Sequence, residues 1–157
     1  MGKRSLTNAE LKRKPHLAPV HIRTGALGNN LPSTDLVVSQ QHRMLLDNWQ
    51  VELMFGTRSA LTAAKHLVND HSILIETPED GVEYYHILFD KHEIIYANDS
   101  LTESFRPGQW ALDGLGDDAR IEIFELFPEL EKDASNYGPT AEMVLKTFEA
   151  KSLSAVN

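Results

Sequence analysis

Cysteine is absent from all 157 residues. Within this chain that excludes disulfides, thiolate metal sites and cysteine nucleophiles. Long apolar runs are absent too. Nothing approaches the roughly 18–20 consecutive apolar residues that cross a bilayer as a helix, so no membrane partner is expected. The opening MGKRSLTNAELKRKP has charge but no apolar stretch, and no secretory signal is expected from it. Positive charge is in deficit, with Lys and Arg numbering 15 against 23 Asp and Glu, a net charge of −8. Phosphate backbones are held by clustered Lys and Arg, so nucleic acid is not an expected partner. The basic residues that do cluster (Lys3, Arg4, Lys12, Arg13, Lys14) read as a solvated stretch. Phosphate and dinucleotide loops of the G-x-x-x-x-G-K-[ST] and G-x-G-x-x-G kinds are missing, as is the G-x-S-x-G elbow of serine hydrolases. His66 and His71 bracket a turn with no thiolate nearby and only Asp70 as an adjacent carboxylate, too small a donor set for a zinc site to be expected. No cofactor is expected.

What is present suits one globular core: 41% hydrophobic and 24% charged residues are ordinary values for a soluble domain of this length. Three textures follow one another. Residues 1–18 read as a polar leader with a short helix from about Thr7 to Arg13. Thr7 and Glu10 have capping-box spacing, and Pro15 ends the helix. Residues 19–106 read as β structure. Expected strands are Val20–Arg23, Asp35–Ser39, Arg43–Leu46, Val51–Phe55, Ser72–Glu76, Val82–Phe89 and Glu93–Ala97. Turn signals separate them, among them Gly28-Asn29-Asn30, Pro78-Glu79-Asp80-Gly81 and Asn98-Asp99. The short stretch Ala63–Val68 is the one helix-like interruption. Such spacing predicts a mainly β sandwich or barrel-like domain rather than βαβ units. Residues 107–157 change to helical period, with helices expected at Asp117–Phe127 and Pro139–Lys151, a two-helix extension. Glu122, Glu125, Glu129, Glu131 and Asp133 read as the wet face of a helix.

Two segments carry groups suited to chemistry. In Asp35–Leu46 an apolar strand runs into Ser39, Gln40, Gln41 and His42 before a second apolar run. A hydroxyl and an imidazole three residues apart at a strand end can converge on one spot, and histidine moves protons near neutral pH. By itself the S-x-x-H pattern is more often a hydrogen-bonded turn histidine. In Tyr84–Asn98, Asp90 and His92 sit at a turn, where a carboxylate can orient an imidazole and raise its basicity. The same pair is equally the pattern of a solvated surface turn. His86 reads as a core or edge histidine.

Taken jointly, His-Ile-Arg-Thr-Gly-Ala-Leu-Gly-Asn-Asn (21–30), Asp-Leu-Val-Val-Ser-Gln-Gln-His-Arg-Met-Leu-Leu (35–46), Leu-Thr-Ala-Ala-Lys-His-Leu-Val-Asn (61–69), Tyr-His-Ile-Leu-Phe-Asp-Lys-His-Glu-Ile-Ile-Tyr-Ala (85–97) and Glu-Ser-Phe-Arg-Pro-Gly (103–108) resemble bacterial Hint domains of the Hedgehog/intein superfamily. The tail segments 126–130 and 137–141 resemble the family's C-terminal extension. This resemblance implies a Hint-type β fold and autoprocessing: a first-position cysteine attacks the preceding carbonyl, and a histidine of a T-x-x-H block protonates the departing amide nitrogen. His42 matches that histidine and Ser39 stands in the threonine's place, while Asp90 and His92 occupy positions suited to resolving the thioester. The family's cysteine-led opening strands are expected to lie outside this chain. The chain then reads as the C-terminal part of the domain, inactive alone. Its partner is the missing N-terminal half or upstream polypeptide in cis, and the parent is possibly exported although this chain carries no address. Where inteins end on His-Asn this sequence has Leu101-Thr102-Glu103-Ser104, which favours Hedgehog-like cleavage or acyl transfer over splicing. The alternatives are a truncated non-catalytic β remnant or binding module, and a separate hydrolase using Ser39 and His42.

Overall fold

In a computed structural model of the chain, Val20 and Ile22 are fully buried while His21 between them faces the other way. That two-residue alternation is what a strand with one face on a core demands. Leu36 and Val38 repeat it around the exposed Val37. The structure describes residues 2–87, 89, 93–104, 117–128, 144–145, 148–150 and 152, with 117–120 as backbone only.

Among the described residues there are nine strands: β1 (Gly2–Leu6), β2 (Val20–Ile22), β3 (Leu36–Val38), β4 (Arg43–Leu46), β5 (Ala60–Ala63), β6 (Ile73–Ile75), β7 (Val82–His86), β8 (Ile94–Ala97) and β9 (Ser100–Glu103). The helices are α1 (Asn8–Arg13), α2 (Trp49–Phe55) and α3 (Asp117–Leu126). All strand pairs are antiparallel, in three sheets ordered β1-β7, β3-β2-β6 and β5-β4-β9-β8. The fold is mainly β, consistent with a Hint-type fold.

Three expectations change. Val51–Phe55 belongs to helix α2 rather than to a strand. Asn48 caps that helix by accepting the Val51 N–H, and Gly56 closes it in the left-handed region at φ 67°. The β-branched and aromatic composition of the segment is overridden by its caps and by Val51, which is fully buried. Strands β1, β5 and β9 were not anticipated: Ala-Leu-Thr-Ala and Ser-Leu-Thr-Glu lack a β-rich composition, and their positions are fixed by pairing with β4 and β8. The first eighteen residues are also more than a polar leader. Their β1 pairs with β7 along its whole length, from Gly2 opposite His86 to Leu6 opposite Val82. Leu6, Leu11 and Leu17 join Tyr84, Leu126 and Phe127 in one buried cluster. Burying each leucine stabilises by roughly 1.5–3 kcal/mol, so α3 is tied to the N-terminal segment by apolar contact.

Two local expectations are met. Thr7 and Glu10 form both halves of the capping box on α1. The helix-like interruption is a short 3-10 turn over Ala64–Leu67. The second expected tail helix, Pro139–Lys151, lies largely outside the described residues. Within it Leu145 and Ala150 are buried with Val51 and Ala60, and Leu145 N–H donates to the Leu61 carbonyl of β5 at 2.8 Å.

The outer edges of β3, β7 and β8 have no strand partner among the described residues. Exposed apolar side chains lie on or beside them: Val37 on β3, Tyr85 on β7 with Ile87 following, and Tyr96 on β8. Open edges of this kind are templates for further pairing.

Candidate functional site

The turn Ser39–His42 joins β3 to β4 and closes with the His42 N–H on the Ser39 carbonyl at 3.2 Å. Each neighbouring layer contributes to holding it. The Gln40 side-chain amide donates to the carbonyls of Pro15 and Ala18, both at 2.9 Å. Its backbone carbonyl receives the Lys65 N–H at 3.0 Å, and the His42 carbonyl receives the Ala64 N–H at 2.7 Å. The Gln41 N–H donates to the Glu122 carboxylate, 3.2 Å from Oε2 and 3.4 Å from Oε1. A four-residue turn is therefore pinned by the 15–18 segment, the 64–65 turn and α3.

The His42 ring meets Thr102, on β9, through Nε2. Thr102 Oγ1 donates its single hydrogen to the Arg43 carbonyl at 2.9 Å, so toward His42 it acts as acceptor. That assigns the ring proton to Nε2 and leaves Nδ1 as the nitrogen able to take up a proton. Burial pushes the His42 pKa below its ordinary value; the Glu103 charge opposes this and the Arg43 charge adds to it. The neutral imidazole is thus favoured at neutral pH. Arg43 and Glu103 are themselves buried, the Arg43 N–H donating to Glu103 Oε1 at 3.0 Å. Ser104 closes the end of β9 by accepting the Glu93 N–H at 2.9 Å.

Ser39 and His42 open onto a cleft of about 260 Å³. Its walls come from β3 (Leu36–Val38), β7 (Tyr84–His86), the start of α3's last turn (Ile123) and the end of β9 (Thr102–Ser104). With Ile95 and Ala97 of β8 also in its lining, the cleft runs past three of the edge strands, β3, β7 and β8. His86, buried as the sequence suggested, sits at its β7 wall with its ring edge-on to Phe127 at 4.5 Å. The arrangement offers a proton-accepting imidazole, a hydroxyl and backbone edges to an extended segment.

The structure brings Ser39 and His42 together in this cleft. Asp90 and His92 lie outside the described residues. Sequence reasoning missed Thr102, Glu103 and Glu122. Thr102 alternates inward on a short strand, a signal that becomes readable only once β9 is assigned. Glu122 falls on the helix face expected to be wet, yet it is 5% exposed. Its carboxyl is pushed up to about 7, chiefly by burial, with hydrogen bonds from Ser39 and Gln41 and the charges of Lys65 and His16 pulling the other way. Glu125, one turn further along, stays nearer solvent and pairs with Lys14 and His16, both at 2.8 Å.

No curated protein and no solved structure matches the chain. A family profile described as the Hint domain matches residues 1–109, more than half of the chain. With an antiparallel β fold and the Ser39–His42 turn inside the matched region, the chain belongs to the Hint domain family, the Hedgehog/intein autoprocessing group.

Proposed function

We propose that this chain supplies the histidine side of an autoprocessing reaction, with His42 moving the proton and the cleft receiving the segment that is cut. The observation that carries the proposal is the His42–Thr102 contact at the cleft. A bland turn histidine has no need of a buried hydroxyl that fixes its tautomer. The 157 residues contain no cysteine, so the thiol comes from a further polypeptide segment, in cis or from a partner, lying in the cleft.

The proposed step balances as follows. Nδ1 of neutral His42 takes the thiol proton, and the sulfur attacks the carbonyl carbon of the residue before the cysteine. The carbon–sulfur bond forms, and the tetrahedral intermediate collapses with loss of the carbon–nitrogen bond. The departing nitrogen takes its proton from the His42 imidazolium and becomes a free amine. The products are a thioester and neutral His42. An environment that lowers the His42 pKa makes that imidazolium a stronger acid, which favours the second proton transfer. Ser39, and Asp90 with His92, are assigned to steadying the site and to resolving the thioester by water or another nucleophile.

The test is reconstitution. A cysteine-led segment from a relative is fused to a reporter and added to the chain, and release is followed with and without dithiothreitol. Thiol-dependent release that His42→Ala slows by 10²-fold or more supports the role; release at an unchanged rate removes it.

A second reading, a binding module that holds an extended segment without cutting it, is favoured by the open edges of β3, β7 and β8 around the same cleft. It predicts capture of the segment with no release, unaffected by His42→Ala.

A further inference from the structure

We propose that Glu122, delivered by α3 from beyond the family-matched region, is a positioning residue that holds the Ser39–His42 turn and so sets His42 against the cleft. The inference rests on the autoprocessing reading of that cleft for its functional meaning, but its physical content stands on contacts. The Gln41 N–H lies between Ser39 and His42 and has the Glu122 carboxylate as its acceptor at 3.2 Å. The Ser39 side chain lies near enough to the same carboxylate to pull its pKa down. One backbone N–H at the middle of the four-residue turn therefore hangs on this carboxyl group, with Ser39 beside it. The helix that brings it is seated by Leu126 and Phe127 in the cluster with Leu6, Leu11, Leu17 and Tyr84, and by Glu125 on Lys14 and His16. The residue that follows Glu122, Ile123, lines the cleft.

The matched domain ends at residue 109 and α3 begins at Asp117. The turn that carries His42 is thus completed by a residue of the extension. An extension that merely capped the core would need only its apolar side chains. A carboxylate that is 5% exposed costs folding free energy unless it is hydrogen-bonded, and its partner here is a residue of the candidate site.

Ionisation gives the contact a pH dependence. The groups that face Glu122 are Ser39 and Gln41 from the turn, Lys65 from the 64–67 turn, His16 from the 15–17 turn and Tyr84 from β7, whose own pKa it helps to raise. Because burial outweighs these partners, the carboxyl titrates at about 7. Above that value the charged carboxylate accepts strongly from Gln41; below it the neutral carboxyl accepts more weakly. The hold on the turn tightens as pH rises through neutrality.

The test uses the full chain labelled with 15N. In the wild type, the Gln41 amide signal is expected to move with an inflection near pH 7, downfield at the alkaline end. Glu122→Gln is expected to abolish that inflection, to raise Gln41 amide exchange roughly tenfold or more at pH 8, and to change the His42 titration. Glu52→Gln, at an exposed position on α2 with no part in this contact, leaves all three unchanged. A wild-type Gln41 signal with no carboxyl-linked inflection at any pH overturns the proposal and requires no variant to fold. A folded Glu122→Gln chain with wild-type Gln41 exchange and His42 titration also overturns it. Reconstituted release, measured in parallel, separates the two readings. Absence of release in wild type and variant alike counts against autoprocessing while the amide data still decide the contact. With release present, Glu122→Gln is expected to flatten its pH profile across neutrality.

Discussion

Thr102 accepts from Nε2 of His42 and donates to the carbonyl of Arg43, so a single hydroxyl orders both the ring and the first residue of the strand that follows it. The two partners are 60 residues apart in sequence, which makes this contact a property of the β4–β9 pairing rather than of the turn alone.

Replacing that hydroxyl tests both functions at once. Thr102→Val keeps the shape of the side chain but strands a ring N–H and a buried carbonyl, a loss expected to cost about 1–3 kcal/mol in urea unfolding. Thr102→Ser retains the hydroxyl and is expected to cost less than about 1 kcal/mol. Ring nitrogen shifts of His42 are expected to show Nε2–H in the wild type and in Thr102→Ser, and a mixed population in Thr102→Val. Equal stabilities for Val and Ser at this position contradict the assignment.

His21 is held at both nitrogens, Nδ1 by Glu76 and Nε2 by Asp35, each at 2.8 Å. Its pKa is raised, first by the hydrogen bond with Glu76, then by Asp35, against the effect of burial. A raised folded-state pKa means that the contribution is fully present below the ordinary value of 6.5 and is lost as pH rises through the folded value. The stability difference between wild type and His21→Gln is therefore expected to shrink as pH rises above about 6.5. Asp35 has the opposite sign: Thr24 first, and then His21, hold it down to about 2. Its contribution is present above about pH 4 and fades toward pH 2. A wild-type-to-variant gap that widens with alkaline pH rules out the clamp.

Leu11 is 1% exposed in the cluster that joins the N-terminal segment to α3. Leu11→Ala is expected to destabilise the whole domain by about 2–5 kcal/mol in a single cooperative transition. Loss of α1 signals alone, with the rest of the unfolding curve unchanged, would show the segment to be a detachable leader after all.

Gly81 has φ 76°, and a Cβ there would lie 2.1 Å from the Leu6 carbonyl oxygen. Left-handed backbone and backbone crowding act together at the corner where β1 meets β7. Gly81→Ala is expected to cost about 1–3 kcal/mol, read as a lower urea midpoint at unchanged slope. An unaltered midpoint would place β1 elsewhere.

What the sequence disclosed depended on how local each signal was. The capping box of Thr7 and Glu10 spans three residues and was legible. So was the Asn98-Asp99 turn, where both residues have positive φ, 48° and 65°, as a two-residue hairpin between right-twisted strands requires. The strand after that turn was not legible, because Ser-Leu-Thr-Glu becomes β9 through its pairing with β8. His42 could be picked out by residue type and by its block. Thr102 and Glu122 could not, since one reaches it through a sheet and the other through a docked helix. Glu122 shares its helical spacing with Glu125, and no pattern of charge along α3 tells the buried carboxylate from the exposed one.

The proposed acyl shift driven from His42 has one direct signature, the thioester. The chain is to be combined with a cysteine-led segment carrying a passenger, treated with hydroxylamine at neutral pH, and the passenger's C-terminus read by mass spectrometry. The expected result is a C-terminal hydroxamate with the wild-type chain, and intact passenger with His42→Ala at the same time point. Hydroxamate forming equally with His42→Ala, or no hydroxamate with a wild-type chain shown to bind the segment, would contradict it.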